Sequence, residues 1–129
     1  MFSHVMLGVN DMDASRKFYD ALFAVLDVKP GKMDPKGRCF YMSKTGVFIL
    51  TNPINGEPAC NGNGSTIGFA VDSTEQGDAW HAAGVANGGV SIEDAPGIRG
   101  AGEPNAMYLA YLRDPAGNKI CALMRMPAE

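Results

Sequence analysis

The residue types best suited to chemistry in this sequence are two histidines, three cysteines and a few tyrosines. His4 with Cys121 is the most reactive pairing on offer, because an imidazole that meets a thiol can take its proton and leave a nucleophilic thiolate. The plainer reading of Cys121 is a small, inert core thiol, which is how free cysteine usually behaves. Cys39, Cys60 and Cys121 are odd in number and widely spaced, and no CxxC pair suggests structural zinc. His81 follows Trp80 on a polar helix flank and reads as exposed. Tyr41, Tyr108 and Tyr111 lie in strand-like stretches, where a phenol gives an apolar wall with a polar tip, although strand alternation turns some of them away. Arg99, in a Gly-rich loop, reads either as a clamp for an anion or as a surface cap. Asn61-Gly62-Asn63-Gly64 lacks the spacing and the strand-then-helix setting of a nucleotide loop, so it reads as turns.

These residues need elements to hold them. His4-Val5-Met6-Leu7-Gly8-Val9 alternates as a strand with Val5, Leu7 and Val9 on one face and His4, Met6 and Gly8 on the other. Asn10-Asp11 then supplies an N-cap oxygen. From Met12 the period becomes helical, with Ala14, Phe18 and Leu22, flanked by Ala21 and Val25, on one stripe. Packing Val5, Leu7 and Val9 under that stripe leaves His4 and Met6 on the helix-free face, where a ligand has room. The same pattern returns at Thr66-Ile67-Gly68-Phe69-Ala70-Val71, followed by Asp72-Ser73 and a helix over Thr74 to Ala83, with Gln76 completing a capping box. A constant offset of 62 residues, as from His4 to Thr66, carries Val5, Leu7 and Val9 onto Ile67, Phe69 and Val71, and Phe18 onto Trp80. Two copies of one module in a single domain over 1–129 follow, the first at about 1–58 and the second at about 64–126.

Between these units, Asp27 to Gly37 reads as a loop, Arg38 to Met42 and Gly46 to Thr51 as a hairpin, and Asn52 to Ser65 as the linker between modules. In the second module a Gly-rich connection from Gly84 to Gly102 is broken by a short strand at Val90-Ser91-Ile92. Strands at Ala106 to Leu112 and Lys119 to Met124 are joined by the turn chemistry of Asp114-Pro115-Ala116-Gly117.

At 129 residues, 46% hydrophobic and 19% charged, the chain has the apolar content of one soluble globular domain. A net charge of −3 without a basic stripe argues against a nucleic-acid partner, and no run approaches a membrane span. With no signal pattern and unpaired cysteines, a cytoplasmic setting is expected.

The opening His4-Val5-Met6-Leu7-Gly8-Val9 with Phe18-Tyr19, and the closing Tyr111-Leu112-Arg113-Asp114-Pro115-Ala116-Gly117-Asn118-Lys119-Ile120, together resemble the glyoxalase/bleomycin-resistance/dioxygenase (vicinal oxygen chelate) superfamily. Asn61 to Gly64, Trp80-His81-Ala82-Ala83 and Ala95-Pro96-Gly97-Ile98-Arg99 look like its glyoxalase-like bacterial subgroup. The resemblance spans essentially the whole chain. It implies an α+β fold of two tandem βαβββ modules, whose strands curl into a cup-shaped mixed sheet with helices on the outer face, usually in a homodimer.

Family members that do chemistry hold a divalent metal in the cup, on ligands from the first and last strands of each module. Those places fall here on His4, Ile49, Thr66 and Cys121, where the family typically has His at the third and Glu at the fourth. Ile49 cannot ligate, Thr66 is a poor donor, and Cys121 must ionise and favours soft metals, so neither a metal nor another cofactor is expected. The carboxylate that moves a proton beside a carbonyl in the glyoxalase reaction is missing too. A cup of His4, Met6, Ile49, Thr66, Gly68, Tyr108 and Cys121, with Val47, Ala70 and Leu123 near, suits a small apolar or aromatic molecule. The leading expectation is therefore a metal-free binding protein of this family. The alternatives are a lyase, isomerase or dioxygenase with an altered site built on His4 and Cys121, and, less well supported by the open positions at Gly68 and Ala70, a purely structural dimer.

Overall fold

Strand β1 (His4–Gly8) breaks at Asn10, and helix α1 (Met12–Ala24) begins where Asp11 accepts a hydrogen bond from the Ala14 N–H at 3.1 Å. That bond satisfies one of the donors a helix start leaves open. Three strands complete the first half: β2 (Lys32–Met33), β3 (Cys39–Met42) and β4 (Val47–Thr51). The second half repeats the opening with β5 (Ile67–Ala70) and helix α2 (Thr74–Ala86), whose first turn is capped by Ser73 accepting from Gln76 N at 3.0 Å. Gln76 returns the bond through Asp72 N at 2.7 Å. Four strands follow: β6 (Val90–Ser91), β7 (Gly97–Arg99), β8 (Met107–Arg113) and β9 (Lys119–Arg125). The computed structural model describes residues 1–127. The helices and their caps keep the 62-residue offset expected from sequence, from Asp11 to Ser73 and from Met12 to Thr74.

The α+β class and the paired modules stand, with one difference in the sheet. The strands make two mixed sheets, β1-β4-β3-β2 and β5-β9-β8-β6 with β7 also on β8, and no ladder joins β1 to β5 among the described residues. β1 pairs parallel with β4, and β5 with β9; the other pairings are antiparallel. β2 and β7 fall in stretches expected to be loops. Each is two or three residues long and has no period of its own, being held by the free edge of β3 or β8.

One core lies between the helices and the inner faces of both sheets, with Phe18, Leu22, Leu50, Trp80, Leu112 and Ile120 fully buried. The buried stripe of α1 is Ser15, Phe18, Tyr19, Leu22 and Phe23, rotated from the expected one, which leaves Ala14, Ala21 and Val25 half-buried. The reason is Tyr19, whose hydroxyl donates to Asp114 Oδ2 at 2.6 Å in the turn between β8 and β9 and so turns a polar-tipped residue inward. Asp114 also accepts from the N–H groups of Ala116 and Asn118, both at 2.9 Å, and Asn118 Nδ2 donates to the Gly8 carbonyl at 3.1 Å. The Asp-Pro turn is thus a buried clasp between the two halves.

Candidate functional site

Register decides which side chains share the helix-free face. In the first half Met6 lies beside Ile49 and Ile49 beside Phe40, while His4 lies beside Val47 and Val47 beside Met42. In the second half the matching row is Gly68, Cys121 and Tyr111, flanked by Ala70, Leu123 and Leu109. Both rows alternate with core residues, Phe48 and Leu50 in β4 and Ile120 and Ala122 in β9, so they line the face opposite the helices.

The four positions drawn from the metal-binding pattern do not line up across the ladders. Ile49 is the lateral neighbour of Met6 and not of His4, and Cys121 is the neighbour of Gly68 and not of Thr66. His4 is exposed, with its Nδ1 2.7 Å from Ser3 Oγ, and Thr66 is exposed just ahead of β5. Cys121 is 5% exposed; burial pushes its thiol up, against a smaller pull from Lys119. A thiol held protonated neither ligates nor attacks well at neutral pH. Among the described residues no three His, Cys, Asp or Glu side chains converge as a metal group. One imidazole, one alkyl group, one hydroxyl and one protonated thiol do not fit the divalent ion that the family pattern calls for.

The tyrosines divide. Tyr108 was expected in the cup and is not there: it lies on the helix side of β8, 1% exposed, with its hydroxyl donating to Asp78 Oδ1 at 2.7 Å. It reaches that carboxylate by passing over Gly77, where any Cβ would meet its ring and lie 2.7 Å from its hydroxyl. Tyr41 does the same in the first half, donating to Asp20 Oδ1 at 2.6 Å. Burial, then the neighbouring carboxylate, pushes both phenols well above the ordinary tyrosine range. Tyr111 alone of the three faces the cup, beside Cys121.

Sequence reasoning overlooked Phe40 and Lys119 on this face. The Lys119 ammonium sits 4.9 Å from the centre of the Tyr111 ring and pairs with Glu93. Strand alternation from Tyr41 and from Cys121 carried enough signal to place both. Arg99 turns back on its own loop and donates to the carbonyls of Asp94, Ala95 and Gly97, which makes it a cap. His81 is half-buried and not exposed; its Nε2 lies 3.0 Å from Ser91 Oγ, and desolvation lowers its pKa.

The helix-free face therefore presents Met6, Ile49 and Phe40 from the first half and Tyr111 and Leu109 from the second. No carboxylate or unpaired ammonium stands in either central row.

Residues 1–122 match the family model described as the glyoxalase/bleomycin resistance protein/dioxygenase superfamily. A glyoxalase/bleomycin resistance protein from Albidiferax ferrireducens T118 is similar at 60% identity and a TM-score of 0.88, over 95% of this chain and 97% of that one. A family enzyme from Burkholderia phytofirmans PsJN shares the fold at 19% identity and a TM-score of 0.72, covering 94% and 95% of the two chains. A lactoylglutathione lyase from Agrobacterium tumefaciens does so at 20% and 0.66, covering 95% and 92%. No curated protein matches.

Proposed function

The chain belongs to the glyoxalase/bleomycin resistance protein/dioxygenase superfamily, and from that membership we propose that it acts by binding a small apolar or aromatic molecule on the helix-free face, without the family's divalent metal. The observation that carries the proposal is the lateral pairing of Met6, Ile49 and Phe40 with its counterpart Gly68, Cys121 and Tyr111. These rows present alkyl, aromatic, sulfur and phenol groups at the centre of the face, where metal chemistry needs carboxylates and imidazoles. Gly68 keeps its own row low beside Cys121, whose Sγ a Cβ there would touch at 3.4 Å. The exposed thioethers of Met6 and Met42, 40% and 63% exposed, supply an adaptable apolar wall. They also favour a homodimer in which a second chain closes the cup.

Two measurements test the reading. Metal analysis of the purified protein, with a thermal-shift screen of divalent ions, is expected to find neither stoichiometric metal nor stabilisation; near-stoichiometric transition metal overturns the metal-free assignment. A panel of neutral and aromatic small molecules is expected to yield saturable binders whose affinity drops in Cys121→Trp, a substitution that fills the space beside Gly68. Binders indifferent to that change would place recognition elsewhere.

A further inference from the structure

A second opening adjoins that face, sharing His4, Val47, Gly68 and Ala70 with its edge, and runs from there toward the core. It occupies the seam between the edge strands β1 and β5, which do not pair, and has a volume of about 340 Å³. Its walls are core-facing side chains: Val5 and Phe48 from the first sheet, Ile67 and Phe69 from the second, and Phe23 with Leu26 from the end of α1. Val5, Leu26, Ile67 and Phe69 are only half-buried for this reason, since the seam keeps the two inner faces from closing over them. The Phe23, Phe48 and Phe69 rings meet edge to face in all three pairings, with centroids 5.2, 5.2 and 5.5 Å apart. Phe69 still keeps part of its surface free.

We propose that this seam, on the core side of the edge strands, is a binding site for a neutral aromatic molecule distinct from the central rows of the helix-free face. Three observations define the ligand. Among the described residues no Asp, Glu, Lys or Arg lines the cavity, so a charged ligand would leave water without a partner. The edge-to-face phenylalanines offer a further ring the same geometry they offer one another. The rim carries the exposed hydroxyls of Ser3, Ser43 and Thr45 and the imidazole of His4, while the hydroxyl of Tyr41, the buried polar side chain in the lining, is already committed to Asp20. The ligand is thus an aromatic body with at most one uncharged polar end. The volume falls within the range of small-molecule sites.

The test uses the whole chain and the neutral dye N-phenyl-1-naphthylamine, with its sulfonated relative 8-anilinonaphthalene-1-sulfonate as the charged control. The neutral dye is expected to bind saturably at one per chain, with blue-shifted fluorescence, and the sulfonate about tenfold or more weaker. Gly46→Leu narrows the mouth, where a Cβ meets only the Ser3 carbonyl oxygen at 3.8 Å, and is expected to weaken the neutral dye by about tenfold. Thr45→Trp at the exposed rim repeats the block independently, should the first variant fold poorly. Met6→Trp and Tyr111→Trp, in the central rows of the other face and outside the lining of the seam, are expected to leave the dye in place. Loss of binding in those two but not in the rim variants would assign the dye to the helix-free face and overturn the proposal, as would non-saturable binding. Dye expelled as chain concentration rises would show a second copy filling the seam, and would overturn it equally.

Discussion

The two halves share a scaffold and differ on the face it presents. Behind the sheets the repeat holds at its anchors: Phe18 and Trp80 are both fully buried and Asp11 and Ser73 both cap their helices, while Tyr41 and Tyr108, at non-equivalent positions, each donate to a helix aspartate. On the helix-free face Met6, Ile49 and Phe40 become Gly68, Cys121 and Tyr111, so one half is filled and greasy while the other has a glycine, a thiol and a phenol. Core positions are constrained by close packing from every side, and a face opening on solvent or ligand is not. The repeat thus persists where atoms are crowded and diverges where a ligand has room.

Four experiments press on that contrast. The largest effect belongs to the shared core: Phe18→Ala and Trp80→Ala are each expected to cost about 3–5 kcal/mol in denaturant unfolding, and a large inequality between them would break the symmetry of the halves. Next comes the clasp. Tyr19→Phe removes the hydroxyl that Asp114 accepts from and is expected to cost about 1.5–3 kcal/mol, the range for hydrogen bonds to charged groups.

A smaller effect appears in alkali. Tyr19, Tyr41 and Tyr108 all have pKa values raised chiefly by burial, so the folded chain keeps protons that the unfolded chain loses above about pH 10. Stability from this source is complete below that pH and falls as pH rises beyond it. Melting temperature followed from pH 8 to 11 should show the decline, and Tyr41→Phe and Tyr108→Phe should each flatten it. The least effect is on the divergent face, where Tyr111→Phe is expected to change stability by no more than about 0.5 kcal/mol in the same melts.

How far the amino-acid sequence revealed this depends on the kind of signal. The repeat was legible because two strands, two caps and two aromatic anchors recur at one offset. The faces of β1 and β5 were legible because alternation set Met6 and Gly68 opposite neighbours that had to be buried, whereas Ile49 and Cys121 came from the family resemblance. Tyr108 was misplaced because β8 is apolar on both faces, Leu109 and Ala110 alike, so its phase was ambiguous. What settles that phase is Gly77, on another element, which makes room for the ring. The stripe of α1 was rotated by a partner for Tyr19 that lies 95 residues away. The seam left no trace at all, because a failure of two edge strands to pair is a property of the assembled sheets and of no residue.

The clasp also says something about how the chain is made. Tyr19 is synthesised 95 residues ahead of Asp114, its hydroxyl's one partner among the described residues, and the Gly8 carbonyl waits 110 residues for Asn118. Contacts of such sequence separation are slow to form, and an N-terminal half folding ahead of its partner carries a buried phenol with nothing to donate to. The first half is therefore expected to stay loose until the final turn has been synthesised, so that a chain stopped short of Asp114 is a substrate for chaperones and proteases rather than a folded module.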